Sequence, residues 1–122
     1  MIINCTPHPV KILSTNNCEY DTRKHCYTLK GEAEVLFEYI PSGIIPRVSM
    51  TQEVLGSVEG VTLKCNIYGQ IENLPLYEEG TFLIVSAMCA QACPDRDDLL
   101  IPTDMVRDEA GNIVGCLSFS VV

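Results

Sequence analysis

Positive charge is what this sequence has least of. Its 122 residues carry eight lysines and arginines against sixteen acids, a formal net charge of −8. Binding to a nucleic-acid polymer depends on Lys and Arg contacts to phosphate, and no basic stripe is present. An anionic membrane surface is disfavoured for the same reason. A small anionic ligand is not excluded, because a few cations can make a local positive pocket in an acidic protein. No apolar run approaches the length of a membrane span. Neither the Walker nor the dinucleotide type of Gly-rich phosphate loop occurs, nor does any C-x2-C pair. Tryptophan is absent, and there are no repeats, linkers or low-complexity tracts.

What is present suits one globular domain spanning residues 1–122. The apolar share is 47% and the charged share 20%, which is ordinary for a folded chain with a small core. The start, Met1-Ile2-Ile3-Asn4-Cys5-Thr6-Pro7-His8-Pro9, has no basic n-region and reads as a mature cytosolic N-terminus. We therefore expect a cytoplasmic protein. The seven cysteines, Cys5, Cys18, Cys26, Cys65, Cys89, Cys93 and Cys116, are odd in number. They are expected to be reduced thiols acting mostly as small hydrophobes.

Periodicity predicts many short strands and one short helix. Strand candidates are Ile2–Cys5, Val10–Leu13, Cys26–Leu29, Ala33–Ile40, Arg47–Leu55, Val61–Tyr68, Thr81–Val85, Leu99–Ile101 and Ile113–Val121. Ser14–Lys24 and Gly69–Gly80 read as loops, and Gly56–Gly60 as a hairpin connection. Ser86 reads as the N-cap of a helix over Ala87–Cys93, which Pro94 ends. The expected fold class is α+β but mostly β: a small β-rich domain, a partly open barrel or sandwich, with one short helix.

Three constellations are candidates for function. Arg47, Arg96 and Arg107 could bind phosphates if they converge, with Asp97 or Asp98 orienting an arginine or holding ribose hydroxyls. The plainer alternative pairs Arg96 with Asp97 or Asp98, and Arg107 with Asp104 or Asp108, as an ion-pair lattice. Ser86 opens a helix whose free N–H groups suit an anion, or it is simply a cap. Thr6 and His8 lie in a proline-bracketed segment and could donate hydrogen bonds or move a proton. A structural histidine is the plainer reading. Cys89 with Cys93, Cys18 with His25-Cys26, and Asp97-Asp98 are residue types that can ligate a metal, but their spacing matches no common site; no metal or other cofactor is expected. Tyr39, Tyr68, Tyr77 and Phe82 could stack on a base or fill the core.

Several strings occur in order along nearly the whole chain. They are Thr6-Pro7-His8-Pro9, Pro41-Ser42-Gly43, Arg47-Val48, Leu74-Pro75, Glu79-Gly80-Thr81, Val85-Ser86, Asp95-Arg96-Asp97-Asp98-Leu99, Pro102 and Arg107-Asp108-Glu109-Ala110-Gly111. The pattern resembles a family of small proteins of phages, prophages and bacterial genomes that has no assigned activity. The segment Ser14–Gly31 departs from it, being longer and richer in cysteine. The resemblance implies a setting among phage proteins that counter host defence. In that setting the expectation is a homo-oligomeric, non-catalytic sponge for a nucleotide immune signal, of the cyclic ADP-ribose type or a cyclic dinucleotide. Its ligand contacts would be Arg47, Arg96, Arg107, Asp97, Asp98, Thr6, His8 and Ser86. The alternatives are a protein–protein inhibitor of a host enzyme, through acids such as Glu72, Glu78, Glu79 and Asp95, and a small nucleotide hydrolase with His8 as base and Asp98 as acid or metal ligand.

Overall fold

A computed structural model describes residues 1–121. Ten strands and one helix follow in the order β1 (Ile2–Asn4), β2 (Val10–Leu13), β3 (Cys18–Asp21), β4 (Cys26–Leu29), β5 (Val35–Tyr39), β6 (Arg47–Val58), β7 (Val61–Glu72), β8 (Phe82–Ile84), α1 (Ala87–Ala92), β9 (Leu99–Arg107) and β10 (Ile113–Ser120). The domain is thus mostly β with one short helix, as the periodicity implied. Eight strands form one sheet in the order β1-β8-β9-β10-β2-β5, with β3 and β4 joined to it through β9. An isolated parallel bridge between Asn4 and Pro41 brings the two ends of that path together into a nearly closed barrel. Strands β6 and β7 form a separate two-stranded sheet.

β9 organises the sheet. One of its edges pairs with β10 in antiparallel fashion along most of its length. The other edge is shared: Leu99 and Leu100 pair with β8, and Val106 and Arg107 pair with β4. Neither neighbour reaches residues 101–105, and Pro102 lies in this gap. A proline has no N–H to give a ladder and normally marks an edge. That is why the sequence suggested a strand only to Ile101, and the gap is why the strand continues.

Two core clusters result. Cys5, Leu83, Val85, Cys89, Ala90 and Leu99 pack β1, β8 and β9 against α1. Leu13, Leu29 and Val106 pack β2 and β4 on the far end of β9. The run Leu83-Ile84-Val85 is almost wholly buried, which fits its continuous apolar character. Where β10 passes β2 the backbones are close. A Cβ on Gly115 would lie 2.7 Å from Leu13 Cγ and 2.9 Å from the Lys11 carbonyl oxygen.

Two local expectations are corrected. Ser14–Lys24 is not all loop: Cys18–Asp21 forms β3 and pairs with β4, with Tyr20 edge-on to Tyr27 at 5.2 Å. Short polar strands of this kind carry little hydrophobic alternation. The hairpin strands also run further: β6 continues to Val58, and β7 continues past Tyr68 to Glu72, into the stretch read as the Gly69–Gly80 loop. Their turn is Glu59-Gly60, both at positive φ (50° and 81°), the two-residue geometry that suits strand twist.

The closure rests on Asn4, which is 2% exposed. Its amide nitrogen donates to the His8 carbonyl and to the Tyr39 carbonyl, each at 2.8 Å. Its Oδ1 accepts from the Thr6 N–H at 2.9 Å and lies 2.6 Å from the Thr6 hydroxyl. Its backbone carbonyl accepts from both the N–H and the hydroxyl of Ser42. Replacing Asn4 with Ala strips partners from several enclosed polar groups. Urea unfolding should show a loss of roughly 2–4 kcal/mol, which Asn4→Asp, lacking the two donors, does not restore. A loss under about 1 kcal/mol, the net value of one ordinary hydrogen bond, would show that the barrel closes without this side chain.

Candidate functional site

Arg96 and Asp98 sit together before and at the entry to β9. Arg96 Nε donates to Asp98 Oδ1 at 2.8 Å and Nη2 donates to Oδ2 at 2.7 Å, a two-pronged pair. The same Nη2 donates to the Pro75 carbonyl at 3.0 Å. Asp98 is buried and its backbone carbonyl accepts from Leu83 N. The hydrogen bond from Arg96 holds the Asp98 carboxyl below the usual aspartate value, against the opposing effect of burial. This pair therefore ties the 72–80 segment to the β8–β9 junction. It is the ion-pair alternative for Arg96, with Asp98 and not Asp97 as partner. Asp97 is exposed.

The three arginines do not meet. Arg96 precedes β9 and Arg107 ends it. Eight extended steps at about 3.3 Å each put them more than about 20 Å apart. Arg47 is exposed at the base of β6, opposite Glu72. The pairing of Arg107 with Asp104 or Asp108 is also corrected. Arg107 Nη1 donates to the Gly111 carbonyl at 2.8 Å, Asp104 accepts from the Ser118 hydroxyl at 2.6 Å, and Asp108 caps the turn through Asn112 N. The short Asp108–Asn112 turn absorbs the polar groups that the sequence left open.

Ser86 caps the helix as expected: its hydroxyl accepts from Cys89 N at 3.2 Å. The helix has only six residues, and the hollow beside it, lined by Thr6, Ser86 and Cys89 among others, holds about 70 Å³. Ligand pockets occupy roughly 300–1,000 Å³, so Thr6 and Ser86 do not enclose a nucleotide there. The Thr6 hydroxyl is already engaged, lying 2.6 Å from Asn4 Oδ1 and 3.0 Å from the His8 carbonyl. Burial pushes the Cys89 thiol up to about 11, with the Cys93 and Cys5 thiols adding to it and Arg96 opposing. Burial also raises Cys5 and Cys116. These thiols are protonated at neutral pH and make poor nucleophiles. Among the described residues no three His, Cys, Asp or Glu side chains are grouped to hold a metal ion.

A groove of suitable size lies elsewhere, across β2, β9 and β10. It measures about 420 Å³ and is lined by Pro9, Val10, Lys11, Pro102, Met105 and Ile113–Cys116. Its walls are mainly apolar, and no acid lines it. The parallel pairing of β2 with β10 (Ile12 beside Cys116) sets Pro9 and Val10 near the Ile113 end. Arg107 is the direct partner of Ile113. Lys11 lines the groove itself, while by register His8 and Arg107 lie next to its Ile113 end without lining it. Arg107 has one N–H committed to Gly111 and the rest of its fork free of protein partners among the described residues. Lys11 was missed in the sequence because a lone lysine on a strand has no motif. A second hollow of about 600 Å³ holds Arg23, Lys24 and Lys30, but Glu19, Asp21 and Glu109 balance them.

No family model, curated protein or solved structure matches the chain. No helix among the described residues is long and apolar enough to cross a membrane.

The Arg96–Asp98 pair generates a pH test. The folded carboxyl ionises below the ordinary 3.8. Between the two values the unfolded chain binds more protons, so stability rises with pH. The contribution is complete above about 3.8 and is lost as pH falls through the folded value. At neutral pH, Asp98→Ala should cost about 2–3 kcal/mol, under the fully buried range because Arg96 retains some solvent. Urea titrations of wild type and Asp98→Asn should show a stability gap that is flat from pH 7 to about pH 4 and narrows as pH falls below about 3.8. A gap that stays constant with pH would contradict the assignment.

Proposed function

We propose that the chain is a non-catalytic binding protein for a small anionic nucleotide, acting as a sponge for a nucleotide signal of the cyclic ADP-ribose type or a cyclic dinucleotide. The setting is the phage–host contest implied by the sequence resemblance, in the host cytoplasm. The observation that carries the reading is the groove across β2, β9 and β10. Its volume of about 420 Å³ suits a nucleotide, and its lining is apolar and free of acids in a chain of net charge −8. Lys11 and the open fork of Arg107 would take phosphate oxygens, and Pro9, Pro102 and Met105 would face a base. His8 would add a hydrogen bond at the charged end. Arg96, Asp98, Thr6 and Ser86 support the scaffold in this reading, and Arg47 and Asp97 lie outside the groove.

The hydrolase alternative loses its proposed pair, because the Asp98 carboxylate is buried under Arg96 and committed to it. Sequestration needs no such group. Calorimetric titration with cyclic dinucleotides, cyclic ADP-ribose and ADP-ribose is the test. One class should bind without turnover, and Lys11→Glu or Arg107→Ala should weaken it by roughly tenfold or more, the value of a charge-assisted hydrogen bond. Arg96→Lys should lower stability and leave affinity unchanged in the folded fraction. Absence of binding across the set, or affinity indifferent to both groove substitutions, would refute the proposal.

A further inference from the structure

The β6–β7 hairpin stands apart from the barrel. It forms its own two-stranded sheet, and Val48 at its base packs on the first core cluster. The Tyr68 hydroxyl reaches Gln91 of α1 at 3.4 Å. Among the described residues no hydrogen bond joins the hairpin to the body beyond that level. From Met50 to Val58 the free arm extends about 27 Å at 3.4 Å per residue.

The arm has two unlike faces. Alternation along β7 puts Val61, Leu63, Cys65 and Ile67 on one face, with Val58, Gly56, Glu53 and Thr51 as their cross-strand partners. The other face carries Thr62, Lys64, Asn66 and Tyr68 opposite Ser57, Val54, Gln52 and Met50, so it is mixed, with polar side chains predominating on β7. Val58, Val61, Leu63 and Ile67 are 55%, 66%, 43% and 45% exposed. A two-stranded ribbon by itself is marginal in water and needs another layer on its apolar face. The protein surface beyond the base provides none.

We infer that the occupant is a second copy of this chain, docked arm on arm. Two observations favour a self-complementary contact. Arg47–Glu72 contains two cations and three acids, so the arm is nearly neutral, while the rest of the chain has six cations and thirteen acids. Two copies therefore repel least at their arms. The stripe also fits its own reverse. With a two-fold axis across the arm, β7 lies antiparallel over β7, setting Val61 over Ile67 and Leu63 over Cys65. β6 over β6 sets Glu53, the only charge on this face, above Gly56. A Cβ built on Gly56 meets nothing within 4 Å, so there is room for that carboxylate at the rim. This interface does not depend on the groove or its ligand.

Sedimentation velocity over a concentration series tests it without any nucleotide. Wild type should sediment as a dimer or an even multiple. Leu63→Glu with Ile67→Glu should sediment as a folded monomer, its far-UV circular dichroism unchanged. Thr62→Glu with Asn66→Glu, on the opposite face, should assemble like wild type. A wild type that stays monomeric, an apolar-face variant that still assembles, or equal disruption by both pairs would overturn the inference. A monomeric wild type would assign the arm to a different protein. Should the double variant fail to fold, hydrogen exchange on wild type decides. Amides from Ser57 to Leu63 must become protected as concentration rises through the assembly transition, and concentration-independent exchange refutes arm docking.

Discussion

One buried amide holds the ends of this sheet together. Asn4 belongs to a three-residue strand, too short to define an edge by ladder bonds alone. Its side chain uses both donors on carbonyls from two other segments and its acceptor on Thr6. A buried amide is costly unless every group is matched, and when matched it specifies a single arrangement. Here the arrangement is closure: Tyr39 at the end of β5 and the His8 turn are fixed relative to β1. Because β1 is bonded to β8 and β8 to β9, the closure also fixes where β9 and β10 lie. The groove across β2, β9 and β10 inherits its shape from that chain of pairings. His8 and Pro9 are held at its end because the His8 carbonyl is one of the two that Asn4 binds.

A second device acts at the entry to β9. The Arg96–Asp98 pair, with Pro75 as third partner, joins the long 72–80 segment to the strand entry. Buried charge pairs of this kind define geometry more than they add net stability. The two devices divide the polar residues of the chain into those that build and those that remain available. Asn4, Thr6, Ser86, Arg96 and Asp98 build. Lys11 is left on the wall of an apolar groove, with His8 and the outer part of Arg107 next to its Ile113 end. The hairpin arm stands outside both devices, attached at its base and unsupported along its length.

The strands were largely legible because most alternate or run apolar for four or five residues. Val10–Leu13 and Cys26–Leu29 were readable to the residue, and the Ser86 cap was readable from its hydroxyl before a small-residue run. β3 was not, since Cys18–Asp21 has two exposed polar or aromatic positions and gains its place by pairing with β4. The extension of β9 past Pro102 depends on a gap between two neighbouring strands, which no local pattern records. The site was less legible than the fold. Arg96 and Asp98 stood out among the few cations and their neighbouring acids, yet their short spacing lets one satisfy the other. Asn4 left a trace: an Asn two residues before a Thr, followed by Pro, is the setting of an Asx turn. Lys11 left none, because its meaning depends on strand order.

The most direct test of this account is the exchange of the two Asn4 side-chain amide protons, followed by nuclear magnetic resonance in the unmodified protein. If Asn4 closes the barrel, both protons are protected to the level of core strand amides such as Ile84 and Val106, and both are displaced from the positions of solvated side-chain amides. If they exchange as fast as those of an exposed residue such as Asn112, the side chain is not bonded as described. Closure of the sheet, and the groove that depends on it, would then need another cause.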